Sequence, residues 1–100
     1  MGSELTKLLE AVHDEKSFLK FVDGLVSDRL DEIEKEKVKP SSPYGSGANG
    51  WENLTVDRFL EAASSWAKSS NFGRDLPGNL FNDNCWHQFA TFLYCGKIYE

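Results

Sequence analysis

Residues 51–66 carry the clearest structural signal of this 100-residue chain and read Trp-Glu-Asn-Leu-Thr-Val-Asp-Arg-Phe-Leu-Glu-Ala-Ala-Ser-Ser-Trp. Thr55 is a favourable helix N-cap, and Leu54 and Phe59 have the spacing of a hydrophobic staple around it. Apolar residues then recur every three or four positions, at Val56, Phe59, Leu60, Ala63, Trp66 and Ala67. This period predicts an amphipathic helix that turns one stripe toward a core.

Three other segments have the same period. The longest begins after the cap candidate Asp14 and carries Phe18, Phe21, Val22, Leu25, Val26, Leu30 and Ile33. Gly24 lies inside this stripe and predicts the close approach of another helix. Ser3 and the run 82–84 supply caps for two shorter helices, and we expect Gly96 to end the last one. The sequence therefore predicts an all-α single domain, residues 1–100, with four helices near 3–12, 15–38, 55–70 and 83–95.

Residues 40–50 separate the second and third helices and read Pro-Ser-Ser-Pro-Tyr-Gly-Ser-Gly-Ala-Asn-Gly. This composition is typical of a flexible connection. The segment is too short to separate domains, and we expect neither flank to fold alone. We therefore predict a mobile loop inside one domain.

Composition narrows the classes of function. The chain has 11 basic and 16 acidic residues and a net charge of −5. This balance disfavours nucleic acid and anionic membranes as partners and favours a basic protein partner. No apolar run approaches the ~20 residues that span a bilayer, and the N-terminus has no signal-peptide pattern. Cys85 and Cys95, ~15 Å apart along one helix, are expected to be buried thiols of a cytoplasmic protein.

Several short motifs occur in a characteristic order along the chain. They are Ser17-Phe-Leu-Lys-Phe-Val, Gly50-Trp-Glu-Asn, Phe59-Leu-Glu-Ala with Trp66, Trp86-His-Gln-Phe-Ala and Gly96-Lys-Ile-Tyr-Glu100. The ordered set resembles a family of small bacterial proteins known only as a domain of unknown function. The resemblance covers nearly the whole chain apart from the first few residues and the 40–49 loop. In that loop this sequence carries an insertion relative to the family pattern. It implies a bacterial cytoplasmic single domain and no particular activity.

Metal and catalytic sites are not indicated. The four soft ligands, His13, His87, Cys85 and Cys95, lack the spacing of a metal site, so no metal and no cofactor are expected. No nucleophile elbow and no phosphate-binding loop are present. Asp57 and Glu61 are spaced as a carboxylate pair on one helix, but such a pair is more typical of a solvated face. We expect the protein not to be an enzyme.

The remaining candidates are surface residues. The acidic residues of the second helix alternate with lysine and arginine, which predicts a solvated, charge-paired face that includes Asp28 and Glu32. The binding candidates are Tyr44, Trp51, Glu52 and Tyr99, because tyrosine and tryptophan are enriched at interface hot spots. In the alternative interpretation Trp51 closes the end of the helical bundle and has a structural role.

Three functional hypotheses follow. The leading one is a non-enzymatic acidic interaction module, of the immunity or antitoxin inhibitor type, that binds a basic protein. The second is a regulatory domain that binds a small molecule among Trp51, Trp66 and Trp86. The third is a small hydrolase or transferase that uses Asp57 with Glu61, or His87. The sequence sets neither the partner nor the oligomeric state.

Overall fold

Four α-helices form the regular structure, in the order that the sequence periods predict. The computed structural model describes residues 2–43, 45–75 and 82–99, with side chains from Glu4 onward. The helices are α1 (Gly2–Glu10), α2 (Glu15–Val38), α3 (Val56–Ser69) and α4 (Cys85–Ile98). No β-strand occurs within the described ranges, and the predicted all-α fold is confirmed. None of the helices seen there has both the length and the apolar character needed to cross a bilayer.

Three of the helices begin at side-chain caps that the sequence predicts. The Asp14 carboxylate accepts a hydrogen bond from the Ser17 amide at 2.9 Å, and the Ser17 hydroxyl accepts one from the Asp14 amide at 3.1 Å. Thr55 accepts the amide of Arg58, and Asn84 accepts the amides of the first two residues after Cys85. These bonds satisfy amides that a helix start leaves unpaired. The prediction that Ser3 caps the first helix is wrong, because α1 begins at Gly2 and Ser3 lies inside it.

Two glycines allow helices to approach closely. A Cβ atom at Gly24 would lie 2.7 Å from Cδ1 of Leu8, so α1 packs directly against this position as predicted. A Cβ atom at Gly96 would lie 2.9 Å from Cζ of Phe59. The prediction that Gly96 ends the last helix is wrong, because α4 continues to Ile98.

The helices pack around α4. α1 packs on α2, both contact α4, and α3 packs on α4 alone. Phe59 at the start of α3 touches Gly96 near the end of α4, and Phe72, just beyond α3, stacks on Phe92 in the middle of α4. α3 and α4 are therefore antiparallel. The backbones of α2 and α3 do not approach each other, so these helices stand on either side of α4.

The apolar stripes are buried only in part. The buried core contains Leu5, Val12, Phe21, Leu25, Trp51 and Ala90. The other part of each long stripe is exposed: Val26 to 53% and Leu30 to 58% on α2, and Val56 to 77% and Leu60 to 51% on α3. The prediction that these four residues face the core is wrong. The reason is that α2 and α3 do not pack on each other.

The described part of the 40–50 loop is anchored to α2, where two carboxylates accept backbone amides of the segment. Glu36 accepts the amides of Ser41 at 2.6 Å and Ala48 at 3.0 Å. Glu32 accepts the amides of Asn49 at 2.9 Å and Trp51 at 3.3 Å. The composition predicts a mobile loop, whereas these four bonds hold it at both ends.

Candidate functional site

The open space between α2 and α3 is an apolar groove of about 520 Å³. Ten of the thirteen residues that line it are apolar. Its main side chains come from three helices and are Val22, Val26 and Leu30 of α2, Val56 and Leu60 of α3, and Leu93 of α4. Apolar surface that is contiguous and exposed on a folded protein marks an interaction site more often than a random surface does.

Trp51 forms one end of the groove and is held from several sides. Its Nε1 atom donates a hydrogen bond to Oδ2 of Asp28 at 2.9 Å, and its ring stacks on Phe59 with centroids 6.1 Å apart. The Lys97 ammonium and the Arg29 guanidinium lie 5.5 and 5.9 Å from the ring centroid. Cations at such distances from an indole ring are attracted to it. The groove therefore has a rigid aromatic end.

A buried charge cluster lies behind this tryptophan. Nζ of Lys97 lies 2.7 Å from Oδ2 of Asp28, with both side chains almost completely buried. The other oxygen of Asp28, Oδ1, is buried without a hydrogen-bond partner. Glu32 is also buried and pairs with Arg29 at 3.0 Å. Charged groups are rarely buried unless they are paired, and here each buried carboxylate has a cation beside it.

The prediction of a solvated acidic face is therefore wrong for two residues of α2. Asp28 and Glu32 lie on the same side of the helix as Phe21 and Leu25, at intervals of three and four residues. This common face points into the core, and the neighbouring cations compensate the charges. The spacing was visible in the sequence and could have identified both carboxylates as buried.

The binding residues predicted from sequence do not form one exposed patch. Trp51 is only 7% exposed, which agrees with the alternative interpretation that it closes the end of the bundle. Glu52 is exposed. Tyr99 is half-buried, with its hydroxyl 3.0 Å from the hydroxyl of Ser69. Tyr44 lies outside the described residues. The binding role of these residues stays a prediction.

The catalytic candidates lie apart. Asp57 and Glu61 are exposed near the start of α3, and hydrogen bonds from the Thr55 hydroxyl and the Arg58 amide lower the pKa of Asp57. His87 lies in the first turn of α4, where burial lowers its pKa. Because α3 and α4 are antiparallel, the carboxylate pair and the imidazole are at opposite ends of this helix pair.

The three tryptophans also occupy separate environments. Trp51 stacks on Phe59, whereas Trp66 meets Phe72 edge-on. Trp86 packs at a tilt against Phe18. The structure therefore offers one tryptophan to the groove, Trp51, and uses the other two in packing against different phenylalanines.

The two thiols differ from the expectation of a buried pair. Cys95 is buried, and burial raises the pKa of its thiol to about 11. Cys85 is exposed, so the prediction is wrong for this residue. It lies at the first position of α4. Within residues 2–43, 45–75 and 82–99, no three His, Cys, Asp or Glu side chains are grouped to hold a metal ion.

The fold and the groove define an all-α protein with an open apolar surface between two unpaired helices. The chain belongs to DUF7660, a family of unknown function, whose family model matches residues 14–100. The matched range includes α2, α3 and α4, and with them every wall of the groove. No curated protein and no solved structure matches the chain.

Proposed function

We propose that this chain is a non-enzymatic, acidic protein-interaction module that binds a basic protein partner through the groove between α2 and α3. The observation that carries the proposal is the exposure of large apolar residues on both walls, by more than half at Val26, Leu30, Val56 and Leu60. Such surface is costly to leave in water at about 25 cal/mol per Å². A partner that covers it gains this free energy on binding.

The charge of the molecule defines the kind of partner. The net charge is −5, and steering by charge accelerates association with a cationic protein. A small acidic module of this kind fits an inhibitor of the immunity or antitoxin type in the bacterial cytoplasm. Such an inhibitor needs a binding surface and no catalytic group.

A small-molecule-binding role is the alternative. The groove volume of about 520 Å³ lies within the ~300–1,000 Å³ range of ligand pockets. Ligand pockets, however, bury ~70–90% of their ligand, and this groove is open along both walls. A protein segment can bury one side in an open groove and keep its other side in contact with water. Such a segment therefore fits this groove better than a metabolite does.

The test is affinity isolation from the source cell with three forms of the full chain. The wild type is compared with Leu30→Ser/Leu60→Ser, which places one polar side chain on each wall, and with Val38→Ser, which removes an exposed apolar residue outside the groove. We expect wild type and Val38→Ser to retain one stoichiometric partner, and the double variant to lose it. Binding of that purified partner should weaken with added salt.

Two results would overturn the proposal. One is the absence of any stoichiometric partner at low salt. The other is a partner that binds the Leu30→Ser/Leu60→Ser variant as tightly as the wild type. A thermal shift with a metabolite, abolished by the same variant, would support the small-molecule alternative instead.

A further inference from the structure

We propose that the partner element in the groove is a single amphipathic α-helix, whose apolar face lies between α2 and α3 and whose flanking residues are basic. This inference rests on the proposed function and specifies its partner. It follows from the shape of the groove, the spacing of the apolar residues along its walls and the charges beside it.

The walls of the groove are two helices with a gap between them. α2 and α3 each pack on α4 but not on each other, and the groove between them is lined by both helices and by Leu93 of α4. Helices pack at interaxial distances of ~8–10 Å, and this arrangement is repeated throughout all-α folds. No strand occurs in the described residues, so no sheet edge is present there to pair with an extended peptide. The geometry favours a helix as the occupant.

The spacing of the apolar residues sets the size of that helix. Val22, Val26 and Leu30 recur every four residues along α2, over ~12 Å at 1.5 Å per residue. Val56 and Leu60 recur at the same interval on the opposite wall. A helix of two to three turns with apolar residues at i, i+3 or i+4, and i+7 matches this length.

Two exposed carboxylates lie within one helical turn of groove residues. Asp23 lies three residues before Val26 and Asp57 three residues before Leu60, so helical geometry places each beside a groove residue. The one basic side chain that lines the groove, Arg29, is paired with Glu32. A helix with lysine or arginine beside its apolar stripe would meet these two carboxylates.

The same charges argue against a second copy of this chain as the occupant. A symmetric dimer through the groove would bring two chains of net charge −5 together, with Asp23 and Asp57 near both surfaces. Like charges at an interface are unfavourable. An anionic lipid surface is disfavoured for the same reason.

The test uses two synthetic 18-residue peptides with identical leucine positions, one with lysine and one with glutamate beside the leucine stripe. Binding to the full-length protein is measured by calorimetry at low and at physiological salt. We expect the lysine peptide to bind about tenfold more tightly than the glutamate peptide, from two rim ion pairs of about two- to fivefold each. Circular dichroism should show that the bound peptide becomes helical.

Variants assign the contacts. Leu30→Ser/Leu60→Ser should abolish binding of both peptides, whereas Asp23→Asn/Asp57→Asn should remove only the advantage of the lysine peptide. Glu4→Gln, which removes an exposed charge on α1, is the control and should leave both affinities unchanged. Thermal unfolding of each variant confirms that it is folded before its affinity is interpreted.

Three outcomes would overturn the inference. They are failure of both peptides to bind, equal affinity for the two peptides, and a wild-type dimer in sedimentation that Leu30→Ser/Leu60→Ser converts to monomer. If the peptides fail but the natural partner still requires Leu30 and Leu60, the helix inference is wrong and the proposed function stands. If that partner ignores the groove variant as well, both are wrong.

Discussion

Gly47 lies directly against the carboxylate of Glu32, which holds the amides of Asn49 and Trp51. A Cβ atom at position 47 would collide with that carboxylate. We predict that Gly47→Ala displaces the loop end and lowers the free energy of unfolding by about 1–3 kcal/mol, as overpacking does elsewhere. The measurement is denaturant unfolding followed by tryptophan fluorescence.

A matched control is present two residues away in the same loop. A Cβ atom at Gly45 would have its nearest neighbour, the carbonyl oxygen of Ser42, at 4.0 Å. Gly45→Ala should therefore change stability by less than about 0.5 kcal/mol, as surface substitutions usually do. Equal losses in the two variants would show that Glu32 does not fix the path of the loop.

The buried pair of Lys97 and Asp28 gives a second prediction. Lys97→Met leaves the Asp28 carboxylate buried without its cation, and we expect a loss of about 3–5 kcal/mol. Adding Asp28→Asn removes the unpaired charge but keeps an acceptor for Nε1 of Trp51. The double variant should therefore be more stable than Lys97→Met alone.

A double-mutant cycle by chemical denaturation measures this coupling, with Lys68→Met on the exposed side of α3 as the control. The contrary result is a double variant whose loss is the sum of the two single losses. Additivity would mean that the two charges stabilise the fold independently of each other.

Helix α2 has two apolar sides with different roles, and they should respond differently to truncation. Leu25 is buried, and Leu25→Ala should cost about 2–5 kcal/mol, the range for leucine in a core. Leu30 is exposed by more than half, so Leu30→Ala should cost less than about 1 kcal/mol. Thermal unfolding of the two variants makes the comparison, and similar losses would mean that the groove is part of the core in solution.

The sequence predicted the helices well because their determinants are local. Asp14, Thr55 and Asn84 cap the helices by bonds to residues two or three positions away, and the apolar period follows from helical geometry. The close approach of another helix to Gly24 was predicted for the same kind of reason, because a glycine inside an apolar stripe marks close packing. Local rules thus suffice for the number and order of the elements.

The groove could not be predicted because it depends on which helices stay apart. Leu25 and Leu30 belong to the same stripe in the sequence, yet one is buried and the other exposed. The difference arises because α3 packs on α4 and leaves α2 uncovered on one side. Lys97 is similar: its buried partner, Asp28, is 69 residues away in sequence, a pairing that no local rule indicates.

Across the molecule, carboxylates accept hydrogen bonds at helix starts and from the 40–50 loop. Because protonation of a carboxylate weakens such bonds, the stability of the fold should depend on pH. Hydrogen bonds from Ser17, Asn49, Ser41 and Thr55, respectively, lower the pKa values of Asp14, Asp31, Glu36 and Asp57. In the unfolded chain these groups bind protons near their ordinary pKa values of 3.8 for aspartate and 4.5 for glutamate. The folded chain binds them only at lower pH.

The unfolded state therefore holds more protons below about pH 4.5, and the free energy of unfolding should fall as the pH decreases through that range. His87 acts in the same direction at higher pH. Its pKa is lowered in the folded chain, so as the pH decreases the unfolded chain binds a proton at this residue before the folded chain does. The free energy of unfolding should therefore begin to fall near the ordinary histidine pKa of 6.5. Denaturant unfolding at a series of pH values between 3 and 7 measures both effects.

Glu36 is the group to test, because its carboxylate holds Ser41 and Ala48 at the two ends of one loop. Glu36→Gln should be less stable than the wild type at pH 7, and the difference should shrink as the pH falls and the wild-type carboxylate takes up its proton. Glu34→Gln removes an exposed glutamate of the same helix that pairs only with Lys37 among the bonds described, and its curve should parallel the wild type. If Glu36→Gln also gave a parallel curve, its carboxylate would not be anchoring the loop.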